Sequence, residues 1–174
     1  LGNLDKSLAI DNAVAIQEAG ANSLAVHART KVEGYKPPAH WEWIGRIKES
    51  VDLHVVANGE VWNCDDYQRC KDLSGCDDVM IGRGLIARPE LGLMIKSYQL
   101  GQSGDGASWS QVVLLLLEYF SFVEQKLPAK YVHGRIKQWL HMMRPQREEA
   151  EKLFFNVKTI NDLSDLRACL EREL

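Results

Sequence analysis

The segment His54–Val55–Val56–Ala57–Asn58–Gly59–Glu60 holds an apolar run that stops abruptly in small and polar residues, and Asp78–Val79–Met80–Ile81–Gly82–Arg83–Gly84 repeats the pattern. Each run is too short for a helix and rich in strand formers, so each predicts a parallel strand buried on both faces. At the end of each, glycine allows the backbone to approach a ligand with no Cβ in the way. Two neighbouring strand ends carrying Asn-Gly-Glu and Gly-Arg-Gly would aim backbone N–H groups and one guanidinium at a common point. That is the chemistry of a phosphate site.

The flanking sequence alternates around these runs. A helical pattern with Leu8, Val14 and Ile16–Ala19 ends at Gly20, and Leu24–Ala28 reads as a strand. Helices are expected near 41–49, 63–74 and 88–98, the last with Pro89 in its first turn, and strands at 54–58 and 78–82. Strand–helix alternation with short connections means parallel βα units. Three such strands have two open edges and an inadequate core, and the chain starts at Leu1 with no initiator Met. The expectation is therefore a piece of a longer gene product, with exposed sheet edges that invite aggregation. Composition shifts at Gly101–Ser110, a glycine- and serine-rich connector. Beyond it only helical stripes appear: Val112, Leu116, Tyr119, Phe120 and Val123 with Ser110 as N-cap, then Val132, Ile136, Trp139, Leu140 and Met143 up to Pro145. Leu153, Phe154, Val157 and Ile160 mark a third helix and Leu166–Leu170 a short fourth. The expected organisation is a βα domain over 1–100, a linker over 101–110 and a small antiparallel helical bundle over 111–174.

A formal charge of −3 over 174 residues argues against a uniformly basic nucleic-acid binder. Yet no Asp or Glu occurs from Lys126 to Arg147, where Lys126, Lys130, Arg135, Lys137, Arg144 and Arg147 all fall. Arg135 and Lys137 sit off the apolar stripe and should face outward, a pattern that suits a phosphate backbone. The bland alternative is a solvated helix face that happens to be basic. No apolar run approaches the roughly 18–20 residues of a membrane span, and no signal peptide is visible. Cys64, Cys70, Cys76 and Cys169 lack paired metal-ligand spacing and read as reduced thiols of a cytoplasmic protein.

Four motifs occur in order: Val26-His27-Ala28-Arg29-Thr30-Lys31 followed by Gly34-Tyr35, Ala57-Asn58-Gly59-Glu60-Val61-Trp62, Val79-Met80-Ile81-Gly82-Arg83-Gly84, and Arg135-Ile136-Lys137-Gln138-Trp139-Leu140. Together they resemble the C-terminal portion of a tRNA-dihydrouridine synthase. They are most similar to the bacterial DusC subfamily, which acts on uridine 16 of tRNA. The resemblance covers almost the whole chain. It implies an α/β fold: the last three strands of a (β/α)8 TIM-type barrel with FMN at its C-terminal mouth, then an all-helical tRNA-binding domain. Phosphate binding by the loops after the last two strands is general in that fold.

The resemblance further implies that Asn58, Gly59 and Glu60 hold the FMN phosphate and ribityl region, that Gly82 and Arg83 bind the phosphate, and that His27 lies beside the flavin ring. Without the other motifs, His27 would read as a structural histidine at a strand end. Arg29 and Tyr35 are implied near the substrate uridine, and Arg135 and Lys137 as tRNA contacts; Lys31 and Arg144 fit surface solubility as well as RNA. The implied reaction reduces the uracil 5,6 double bond. Reduced FMN, recharged by NADPH, delivers hydride to C6 and a cysteine acid protonates C5, the base having been flipped out of the tRNA. None of the four cysteines lies in the family's Asn-x-Gly-Cys-Pro context, so no catalytic residue is expected in this chain and it should be inactive alone. The family is usually monomeric. Two other readings stay open: a flavin barrel acting on a free base, for which the basic helical tail has no use, and a non-catalytic RNA-binding remnant.

Overall fold

In a computed structural model, residues 1–104 and 106–174 are described. They divide into two compact units, Leu1–Gly84 and Leu85–Leu174.

The first unit alternates helix and strand: α1 (Ala9–Glu18), β1 (Ser23–His27), α2 (Trp41–Ser50), β2 (His54–Asn58), α3 (Cys64–Ser74) and β3 (Asp78–Met80). The sheet is parallel in the order β1-β2-β3. Its register sets Val26 beside Ala57 and Ala57 beside Val79, so these side chains share one face. The crossover helices α2 and α3 pack on each other and on β2, burying Val26, Val55 and Ala57 together with Ile44, Ile47 and Cys70. On the opposite face Met80 is 51% exposed, while Val56 and Asn58 are half-buried. The expectation of strands buried on both faces therefore fails for β3. Both crossover helices lie on the Val55 and Ala57 side. α3 has the ends its sequence dictates: Asn63 caps it by accepting from the Asp66 amide, and Gly75 ends it at φ +62°.

Two boundaries differ from the sequence reading. The ladder of β3 ends at Met80, and a one-turn helix α4 (Arg83–Ala87) follows, too short to leave a periodic signal. Pro89 lies in the turn before α5 (Leu91–Gln99) rather than in its first turn. There the Glu90 carboxylate is held by Arg147 at 2.6 Å and Arg88 at 3.4 Å.

The rest of the second unit is helical: α6 (Trp109–Lys126), α7 (Ala129–Met143), a 3-10 turn (Arg144–Gln146), α8 (Glu148–Val157) and α9 (Leu163–Glu171). Its core is the interleaved stripes the periodicity predicts, including Val112, Leu116 and Phe120 of α6, Ile136 and Leu140 of α7, Leu153 of α8 and Leu166 of α9. Ser108, not Ser110, caps α6. Its hydroxyl accepts from the Gln111 backbone amide at 3.3 Å while the Gln111 side-chain oxygen accepts from the Ser108 backbone amide at 2.8 Å, a reciprocal capping box that needs the glutamine three residues on. The expected linker 101–110 includes Asp105, which lies outside the described residues. No helix of the described residues is long and apolar enough to cross a membrane.

Candidate functional site

The C-terminal ends of β1, β2 and β3 surround a hollow of about 220 Å³. His27, Tyr35, Asn58, Gly59, Glu60, Gly82 and Arg83 all line it, joined by Trp62 and Gly84. The two strand-end loops singled out in the sequence thus face one space. Asn58 ties them together, its side-chain amide donating to the Met80 carbonyl at 2.7 Å. The next two residues turn the chain through the left-handed region, Gly59 at φ +124° and Glu60 at φ +58°. The first is nearly glycine-only; the second is a strained conformation for glutamate, of the kind that concentrates at functional sites. The Trp41 indole fixes the turn from behind by donating to the Gly59 carbonyl at 2.9 Å. Gly84 packs so tightly that a Cβ there would overlap the Val61 carbonyl oxygen.

Glu60 organises the charges. Its carboxylate accepts from the Arg29 guanidinium, accepts from the Trp62 indole at 2.9 Å, and lies 3.7 Å from Arg83. Burial pushes the Glu60 carboxyl up, but the hydrogen bonds from Arg29 and Trp62 and the two positive charges outweigh it, leaving the group below its usual range. Arg83 lines the hollow, its guanidinium carbon 4.3 Å from the Tyr35 ring centre and 5.2 Å from that of Trp62. For His27, burial and then the Arg29 charge lower the imidazole pKa below its ordinary 6.5, which favours the neutral ring at the rim.

Arg29 departs from its expected role. Its side chain is wholly buried, hydrogen-bonded to Glu60 and to the Pro38 carbonyl, so it braces the β2 loop and offers no surface to a uridine. Trp62 belongs to the Ala57–Trp62 motif without a role that the motif itself signals; only the fold turns it back onto Arg83. The cysteines stay out of the hollow. Cys70 and Cys76 are buried, and burial, with Cys76 close by, pushes the Cys70 thiol up to about 12. Among the described residues no His, Cys, Asp and Glu cluster could hold a metal ion.

In the second unit Arg135 is exposed and donates to Gln138 at 3.1 Å. Lys137 is half-buried and donates to Asn161 at 3.0 Å, with burial lowering its pKa. Two residues apart on a helix, they flank the buried Ile136 and point to opposite sides of α7. They do not form one patch. Arg135 lines a separate hollow of about 370 Å³ with Ile86, Tyr119, Gln138, Trp139 and Met142. In it the Trp139 indole donates to the Ile86 carbonyl at 2.8 Å and meets Tyr119 edge to face. Arg147 leaves the basic surface expected of it. It is a largely buried partner of Glu90 and of the Ala107 carbonyl, residues too distant in sequence to be foreseen.

The family model for dihydrouridine synthase (Dus) matches residues 3–171. The chain belongs to the dihydrouridine synthase family. Among its relatives, it is 48% identical to a tRNA-dihydrouridine(16) synthase of Aquipseudomonas alcaligenes over 93% of this chain and 51% of the relative. It is 44% identical to the enzyme of the same description from Pseudomonas putida, over 93% of this chain and 50% of the relative. For the one from Ralstonia nicotianae the identity is 44% over the whole chain and 53% of the relative. This dihydrouridine synthase chain therefore spans about half the length of the curated relatives it matches.

Proposed function

We propose that the chain is the C-terminal part of an FMN-dependent tRNA-dihydrouridine synthase that reduces a uridine, position 16 of the D-loop, using NADPH. In this reading β1, β2 and β3 are the last three strands of a (β/α)8 barrel, and the helices beyond the 101–110 connector form the tRNA-binding domain. The observation that carries the flavin assignment is the convergence of Asn58–Gly59–Glu60 and Gly82–Arg83–Gly84 on one hollow. The residues fit a phosphoryl group. Gly82, where a Cβ would meet nothing within 4 Å, leaves open room at the end of β3, and Arg83 supplies a forked cation against the rings of Tyr35 and Trp62.

Reduced FMN, held there by Asn58–Gly59–Glu60 and Gly82–Arg83, would supply the hydride for the uracil 5,6 double bond. The chain's own contribution is orientation. Arg83 neutralises the phosphate, Glu60 sets the position of Arg83, and neutral His27 offers one hydrogen-bonding nitrogen at the rim. Tyr35, 70% exposed, covers Arg83 and presents its outer face to an incoming base. Arg135 and Lys137 contribute to the grip on tRNA, each from its own flank of α7. The proton for C5 comes from none of the four cysteines here, since none lines the hollow. We expect no turnover from this chain alone.

Flavin binding tests the reading without turnover. Titrating FMN and riboflavin against the chain and following flavin fluorescence should show FMN favoured. Arg83→Ala should weaken FMN about 10- to 100-fold, the worth of a charged hydrogen bond, and leave riboflavin unchanged. An Arg83→Ala protein that binds FMN as tightly as wild type, or a wild type that binds neither flavin, refutes it.

A further inference from the structure

We propose that Gly134 is a contact point for the ribose–phosphate backbone of tRNA, left without a side chain so that an RNA strand can lie directly on α7. The inference rests on the tRNA reading above and adds a residue and a mode of contact to it.

Gly134 lies inside α7, where glycine weakens a helix relative to alanine. Its backbone is not in the left-handed region, so alanine would fit its conformation. A Cβ built there meets nothing within 4 Å. The contrast is Gly45 of α2, where a Cβ would come within 2.9 Å of the Leu73 carbonyl oxygen and glycine is required by packing inside the chain. No such reason exists for Gly134 among the described residues. The constraint that keeps the side chain away then comes from outside the chain.

The surroundings say what comes there. Gly134 forms part of a groove of about 380 Å³ with Leu127, Tyr131, Arg135 and Gln138. This groove shares Arg135 and Gln138 with the hollow containing Trp139. No carboxylate lines either one, and none occurs in sequence between Lys126 and Arg147. Tyr131, 55% exposed, has Lys130 over its ring at 4.9 Å. A bare stretch of helix bordered by a guanidinium, an ammonium, an amide and an exposed ring suits a polyanion with sugars and bases between its charges. Arg135 and Lys130 meet phosphates, Tyr131 offers a stacking face, and a ribose edge approaches the Gly134 backbone.

The test uses the full chain and a labelled, unmodified tRNA transcript, with binding read by fluorescence anisotropy at several salt concentrations and melting by circular dichroism. Gly134→Ala should raise Tm and still weaken tRNA binding several-fold; Gly134→Leu should weaken it further. Arg135→Gln should reduce the slope of log K against log salt by about 1, whereas Gly134→Ala should not alter that slope because it removes no charge. If Gly134→Ala melts higher and binds as wild type while Arg135→Gln binds more weakly, the glycine contact is refuted and the tRNA reading stands. If Gly134→Ala melts lower, the glycine serves the chain internally and the proposal falls. If the wild type binds no tRNA, the tRNA reading itself fails.

Discussion

Replacing Glu60 by Ala removes the carboxylate that joins three elements around the hollow. Its partner Arg29 has a side chain 0% exposed, whereas Glu60 is 21% exposed. Deleting one member of a buried ion pair costs about 3–5 kcal/mol, because the other charge stays buried without compensation. Water can reach the Glu60 side of the pair, which moves the expectation to the lower end, about 3 kcal/mol. Arg29 would keep only the Pro38 carbonyl, and one of its guanidinium nitrogens already lacks a partner. Urea unfolding followed by tryptophan fluorescence should shift the midpoint by about 1.5 M for a slope of about 2 kcal/mol/M. Two controls separate the causes. Glu60→Gly should exceed Glu60→Ala in stability by up to about 1 kcal/mol, because it also relieves the φ of +58°. Arg29→Met combined with Glu60→Ala should recover most of the loss, since no buried charge is stranded. A Glu60→Ala protein within about 1 kcal/mol of wild type would refute the reasoning, as would a double variant no better than the single one.

Glu33 staples the loop that carries Tyr35. It accepts from Lys6 at 2.6 Å and from the Thr30 amide at 2.7 Å, and lies 3.0 Å from His40. The hydrogen bond from Lys6, then that from the Thr30 amide, lowers its carboxyl from 4.5 to about 2. A depressed carboxylate adds stability that is complete above the unfolded value and lost as pH falls through the folded one. Stability should therefore drop between pH 4.5 and about 2. Glu33→Gln should flatten that part of the curve, and an unchanged pH profile would count against the staple. Gly84→Ala should destabilise the first unit by about 1–3 kcal/mol, the range for forcing extra atoms into a tight site, and should lower FMN affinity with it. Thermal melting that matches wild type would mean the Val61 carbonyl moves aside at no cost.

Much of the molecule was legible in the residues alone. Strand and helix periods are local properties, so the βα alternation, the four helical stripes of the second unit and the glycines closing β2 and leading out of β3 could all be read from neighbours in sequence. The order of the motifs likewise points to the dihydrouridine synthase family from the sequence itself. Local pattern also misleads where a competing partner is near, as at Ser110, which lost the cap to Ser108 because Gln111 completes a box only with the latter. Tertiary structure alone decided which charges are surface and which are not. Arg29 and Glu60 meet across 31 residues and Arg147 and Glu90 across 57, so their burial left no mark on sequence pattern. It also decided that α2 and α3 pack together on the Val55 and Ala57 side of the sheet. Periodicity says which residues want shelter; only the packing of distant segments says which cations find a carboxylate there and which are left for a ligand.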